Sequence, residues 1–100
     1  MPLDQTAVSP SIAAAVKAFE AAWAALLICD GEEEVMQAGY DAWEDLMRTP
    51  CLTMGDVVAK AAAFTVYREG EKDWGFDTLN DADFPHLGAL FEDARRLLAA

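Results

Sequence analysis

Large apolar residues recur along this chain at helical intervals. Ile12, Val16, Phe19, Trp23 and Leu26 follow one another at spacings of four, three, four and three, which places them on one helical stripe. Ser9-Pro10 opens that segment, with Ser9 as the cap and Pro10 in the first turn, and Asp30-Gly31 closes it, predicting a helix over about 10–28. Met36, Tyr40, Trp43 and Met47 form a second stripe, opposite a face of Glu34, Gln37, Asp41, Glu44, Asp45 and Arg48. This second helix spans about 32–48, with Asp30 as its cap and Glu33 as capping-box partner, and Thr49-Pro50 breaks it. Thr53 and Asp56 are a second capping-box pair, starting a third helix over about 54–69. Val57, Val58, Ala61, Phe64 and Thr65 are its expected inward residues, and Gly70 its expected stop. The strand propensity of Val66 and Tyr67 leaves a hairpin through 64–76 as the competing reading. Leu87, Leu90, Phe91, Ala94, Leu97 and Leu98 predict a last helix over about 84–98, capped by Asp83.

Four such segments joined by short turns give an all-α domain, a small four-helix bundle, with an irregular acidic loop over 71–83. A length of 100 residues suits a single domain, 1–100, with residues 1–8 as a frayed tail. No internal repeat, linker or second domain shows in the pattern. The first helix is unusual on its remaining sides. Ala14, Ala18, Ala21 and Ala25 stand among eight alanines there, and only Lys17 and Glu20 are charged between Ser11 and Asp30. A helix so poor in polar residues is expected to be enclosed, by its own chain or by a second copy. Small residues permit close helix approach, so these four alanines are the candidate self-association face.

Charge narrows the partners. Eighteen acidic residues against seven basic ones give a net charge of −11. That disfavours direct binding to nucleic acid or to an anionic lipid surface, and it permits a basic protein partner. The acidic candidates for such a partner are Glu33, Glu34, Asp41, Glu44 and Asp45 on the second helix. Trp74 and Phe76 in the acidic loop are candidate anchors, or a lid over the bundle end. The first helix is apolar, but Lys17 and Glu20 interrupt it and alanine dominates it, so it does not read as a membrane span, and the protein is expected to be cytoplasmic.

The run Ala42-Trp43-Glu44-Asp45-Leu46-Met47-Arg48-Thr49-Pro50, then Leu52-Thr53-Met54-Gly55-Asp56 and Lys60-Ala61, carries a resemblance, with the terminal Asp93-Ala94-Arg95-Arg96-Leu97-Leu98. Over its second half the chain is similar to short, alanine-rich helical proteins of α-proteobacteria and their prophages. The resemblance implies a helical fold and brings no established activity with it.

Catalytic signatures are scarce. Cys29 and Cys51 fall at opposite ends of the second helix, about 25 Å apart for seventeen residues, whereas a disulfide needs α-carbons within about 7 Å. Two buried, inert thiols are expected, although Cys51 precedes a helix start, a setting that can lower a thiol pKa. A Cys51–His86 pair is the obvious nucleophilic arrangement, but nothing in the sequence joins them, and His86 is expected on the surface. Asp73, Asp77, Asn80, Asp81 and Asp83 lack the alternating-oxygen pattern of a calcium loop. No phosphate loop, nucleophile elbow or zinc cluster is present, so no cofactor, metal or enzymatic activity is expected. Three readings remain from the sequence: a self-associating, non-enzymatic interaction module forming a homodimer; an acidic, prophage-type inhibitor or nucleic-acid mimic that binds a basic protein; and an enzyme or small-ligand carrier.

Overall fold

The computed structural model describes residues 4–73, 75 and 81–99. It has four helices in chain order: α1 (Pro10–Ile28), α2 (Glu33–Arg48), α3 (Met54–Asp73) and α4 (Asp83–Ala99), with no strand among the described residues. The all-α four-helix reading holds, and the hairpin alternative does not, because residues 64–73 are helical.

Aromatic pairs fix how the first three helices pack. Phe19 lies 5.3 Å from Trp43 and Trp23 lies 5.5 Å from Tyr40, centroid to centroid, so α1 and α2 run antiparallel. Gly39 makes their closest approach possible: a β-carbon there would stand 2.5 Å from Leu26 Cδ1. Trp43 stacks on Tyr67 at 4.2 Å with 8° between the rings, and Phe64 meets Trp43 edge-on at 5.1 Å. Phe19, Trp23, Leu26, Trp43, Leu46, Phe64 and Tyr67 thus form one buried aromatic core shared by α1, α2 and α3. Offset and edge-on ring pairs of this kind add about 0.5–1.5 kcal/mol each beyond area burial. A smaller cluster of Cys51, Val57 and Leu90 holds α4 against the start of α3.

Several local expectations change. The α3 helix runs through Gly70 to Asp73. Gly70 is a crossing point rather than a stop, since a β-carbon there would lie 2.9 Å from Trp23 Nε1. Val58, Ala61 and Thr65, expected inward, are exposed; the buried side of α3 carries Val57, Lys60, Ala63, Phe64, Tyr67 and Glu71. The reason is that two charged side chains found internal partners. Lys60 Nζ donates to the Met47 carbonyl at 3.0 Å, neutralising the C-terminal end of α2, and Glu71 receives the Tyr40 hydroxyl at 3.5 Å.

Two of the expected caps form differently, although Ser9 keeps the N-cap position of α1. Ser9 makes no side-chain cap to α1, and its hydroxyl turns instead to Asp56 at 2.9 Å. The N-cap of α2 is Glu32 rather than Asp30, and Glu32 Oε2 accepts the Asp30 N–H at 2.7 Å. Gly31 does adopt the left-handed conformation, at φ 88°. The Thr53–Asp56 capping box forms in both directions: Asp56 N–H to Thr53 Oγ1 at 3.1 Å, and Thr53 N–H to Asp56 Oδ2 at 3.2 Å.

Residues 4–8 were expected to fray. Instead, Gly55 N–H donates to the Gln5 carbonyl at 2.7 Å, and Thr53 Oγ1 donates to the Ala7 carbonyl at 2.5 Å. Gly55 is required for this contact, because a β-carbon there would sit 2.6 Å from the Thr6 and Ala7 carbonyl oxygens.

Candidate functional site

Asp56 is the polar hub of the fold. Its Oδ1 accepts the Ser9 N–H at 2.7 Å. Its Oδ2 accepts the Ser9 hydroxyl at 2.9 Å and the Leu52 and Thr53 N–H groups at 2.8 and 3.2 Å. Burial alone pushes this carboxyl up, but the hydrogen bonds outweigh it and hold it below the usual carboxylate value. All its partners are the chain's own groups, so its role is to lock the start of α1 to the start of α3.

A second polar cluster lies at the other end of α3. Tyr40 and Tyr67 occupy apolar positions of their helices, and their hydroxyls reach two buried carboxylates. Tyr40 donates to Glu71, and Tyr67 donates to Asp83 Oδ1 at 3.0 Å. Burial, reinforced by Glu71, pushes the Tyr40 hydroxyl up to about 12, and burial pushes Tyr67 up as well. Glu71 and Asp83 fall at the two ends of the acidic loop expected over 71–83. They are buried because they bracket the connection from α3 to α4 and receive those hydroxyls. Sequence reasoning missed the cluster; the available signal was a tyrosine at each of two core positions, since a buried hydroxyl requires an acceptor.

The remaining candidates are scattered. Burial pushes the Cys51 thiol up to about 11, opposite to the lowering a helix start can produce. His86 is not a free surface residue: its Nε2 lies 3.0 Å from Glu44 Oε1, and its ring stands edge-on to Trp43. Glu44 also meets Arg48 at 3.5 Å, so it is engaged within the fold rather than offered outward with its neighbours. Glu33, Glu34, Asp41 and Asp45 are exposed on the outer face of α2, where Asp41 accepts the Gln37 amide at 2.8 Å. Trp74, Phe76, Asp77 and Asn80 lie outside the described residues. Among those described, no group of three or more His, Cys, Asp or Glu side chains is placed to hold a metal.

Three surfaces stand out. On α1, Ala14, Ala18, Ala21 and Ala25 are all exposed; the described residues do not enclose them. By length and composition this helix could also cross a membrane, yet Ile12, Phe19, Trp23 and Leu26 are buried in the core. Between α3 and α4 runs a groove of about 420 Å³ lined by Phe64, Arg68, Lys72, Leu87, Leu90 and Phe91. Along α4, the expected single apolar stripe is split: Leu90 is buried, Leu87, Ala94 and Leu97 are half-buried, and Phe91 and Leu98 are exposed. The split follows from the packing, because α4 leans mainly on α3 and makes no extensive contact with α1.

The class these features define is a small all-α four-helix domain with a closed aromatic core and apolar surface left over on two helices. No protein-family model, curated protein or solved structure matches the chain.

Proposed function

We propose that the protein is a non-enzymatic, self-associating interaction module acting in the cytoplasm. The observation that carries this reading is the apolar surface left exposed beside the buried aromatic core of the described residues. That surface lies on two helices: Ala14, Ala18, Ala21, Ala25, Leu27 and Ile28 on α1, and Phe84, Phe91 and Leu98 on α4. The polar side chains in the interior support the same reading. Asp56, Lys60, Glu71 and Asp83 each meet a group of the chain itself, which gives them structural work. The test is solution mass by light scattering on a sizing column, at low and high salt. A dimer that persists at high salt supports an apolar seam; a monomer under both conditions refutes self-association.

One observation favours a second reading. Glu33, Glu34, Asp41 and Asp45 form an acidic outer surface on α2, whose one basic residue, Arg48, sits in the last turn against Glu44, and such a surface suits an acidic inhibitor or nucleic-acid mimic aimed at a basic protein. Such binding weakens with salt, and reversing the charge of Glu33, Glu34 and Asp41 abolishes it. Capture unchanged by those substitutions removes this reading.

A further inference from the structure

The self-association reading leaves open which surface pairs, and the structure offers α4 beside the alanine face. Phe84, Phe91 and Leu98 recur every seven residues along α4 and are 57%, 65% and 74% exposed. Seven-residue spacing keeps them on one side of the helix, with Leu87, Gly88, Ala94 and Arg95 between them. Arg95 is the single charge in that strip, and Glu92 of the same helix meets it at 2.8 Å. We propose that this strip is a docking surface for a second copy of the chain, with two α4 helices crossing antiparallel about Phe91.

Three arguments select a second copy as the occupant. The first is symmetry. The strip is self-complementary about its midpoint: an antiparallel pair sets Phe91 against the Phe91 of the other copy and Phe84 against Leu98, as a two-fold interface demands. The second is charge. Each copy carries −11, so two copies repel wherever carboxylates face each other. The outer face of α2 would oppose carboxylates to carboxylates, while the α4 strip brings only an internally paired Arg95 to the contact. The third is area. At about 200 Å² for a fully buried large side chain, the three exposed residues offer roughly 400 Å² of apolar surface, within the range where a contiguous patch on a monomer is often functional. A standard interface buries about 800 Å² per partner. The groove beside the strip, walled by Phe64, Leu87 and Leu90, supplies further area. A patch smaller than a standard interface fits a reversible dimer rather than an obligate one.

The proposal rests on the self-association reading, and one experiment separates their failures. Sedimentation velocity over a concentration series compares the full chain with Phe91→Glu, Phe91→Lys, an equimolar mixture of those two, and Ala18→Glu. Phe91 is exposed, so both variants keep the native helical signal, which circular dichroism checks. The expected result is a dimer whose dissociation constant rises about 30-fold or more in each Phe91 variant alone, the range of an interface hot spot. Mixing Phe91→Glu with Phe91→Lys restores it, because the two-fold sets position 91 against itself, and Ala18→Glu leaves it intact. A dimer indifferent to Phe91 but dissolved by Ala18→Glu overturns the α4 seam and leaves self-association standing. Failure of the mixture to dimerise overturns the antiparallel geometry. A parent chain that is monomeric throughout overturns both the seam and the reading beneath it.

Discussion

Removing the Asp56 carboxylate tests the polar hub directly. In Asp56→Ala, three backbone N–H groups, those of Ser9, Leu52 and Thr53, and the Ser9 hydroxyl lose their acceptor together. Hydrogen bonds to a charged group contribute about 1.5–3 kcal/mol each, but the buried carboxylate's own desolvation offsets part of that sum. The net loss expected is about 3–5 kcal/mol, the range for breaking one side of a buried charged network. For a domain of this size that lowers Tm by roughly 15–25 °C. Asp56→Asn behaves differently, because the two oxygens carry unequal loads. Oδ2 accepts three of the four bonds and Oδ1 accepts only Ser9 N–H. The amide therefore turns its oxygen to the Oδ2 position and sets its NH2 against Ser9 N–H. It loses about 2 kcal/mol, with faster hydrogen exchange at Ser9 while Leu52 and Thr53 keep their protection. The pH dependence follows from the lowered carboxyl value. The stabilisation from Asp56 is complete above the ordinary carboxylate range, about 4, and is lost as pH falls through the lower folded value. The gap between the native chain and Asp56→Asn accordingly narrows in acid. Urea and thermal unfolding followed by circular dichroism give the energies, and exchange followed by NMR gives the site. An Asp56→Ala chain within about 1 kcal/mol of the native one, or equal exchange at Ser9 and Leu52 in Asp56→Asn, refutes this account.

Three further outcomes are expected. Gly70→Ala gains about 1 kcal/mol of helix propensity but presses a methyl onto the rigid Trp23 indole, for a net loss of about 1 kcal/mol, whereas Gly88→Ala meets nothing and stabilises the chain; equal stabilisation by both in chemical unfolding contradicts the crossing at Gly70. At pH 8 the Cys51 thiol, pushed up to about 11 by burial, is ionised only about one part in a thousand, so a thiol reagent labels Cys51 at the rate of global unfolding, and rapid labelling of Cys51 in the folded chain argues against that burial. Tyr40 and Tyr67 are held neutral in the fold, so their contribution is whole below about pH 10 and declines as pH rises through their raised folded values, by up to about 1.4 kcal/mol per pH unit for each tyrosine; tyrosinate absorbance growing in at pH 10 for both groups without unfolding runs counter to the Tyr–carboxylate cluster.

The sequence by itself determined the four helices and most of their ends, because those depend on neighbours in the chain. The spacing of Ile12, Phe19, Trp23 and Leu26, Pro10 in the first turn, the break at Thr49-Pro50 and the reciprocal Thr53–Asp56 box are all interactions across a few residues, and all are present. What lay beyond local reach was decided by the tertiary structure. Nothing near Gly70 in the chain reveals that the Trp23 indole crosses there and that the helix continues to Asp73. Nothing local marks Lys60, Glu71 and Asp83 as buried; Met47, Tyr40 and Tyr67 arrive from other helices to satisfy them, and a charge is buried only where a partner is supplied. Residues 4–8 read as a loose tail until Thr53, Met54 and Gly55 hold them. The same distinction governs the surfaces. Composition shows that α1 is alanine-rich and that α4 carries Phe84, Phe91 and Leu98, but only the packing of α4 onto α3 decides that these three side chains point away from the core. A sequence fixes which faces are apolar; how many of them the fold can cover depends on where the other helices come to lie.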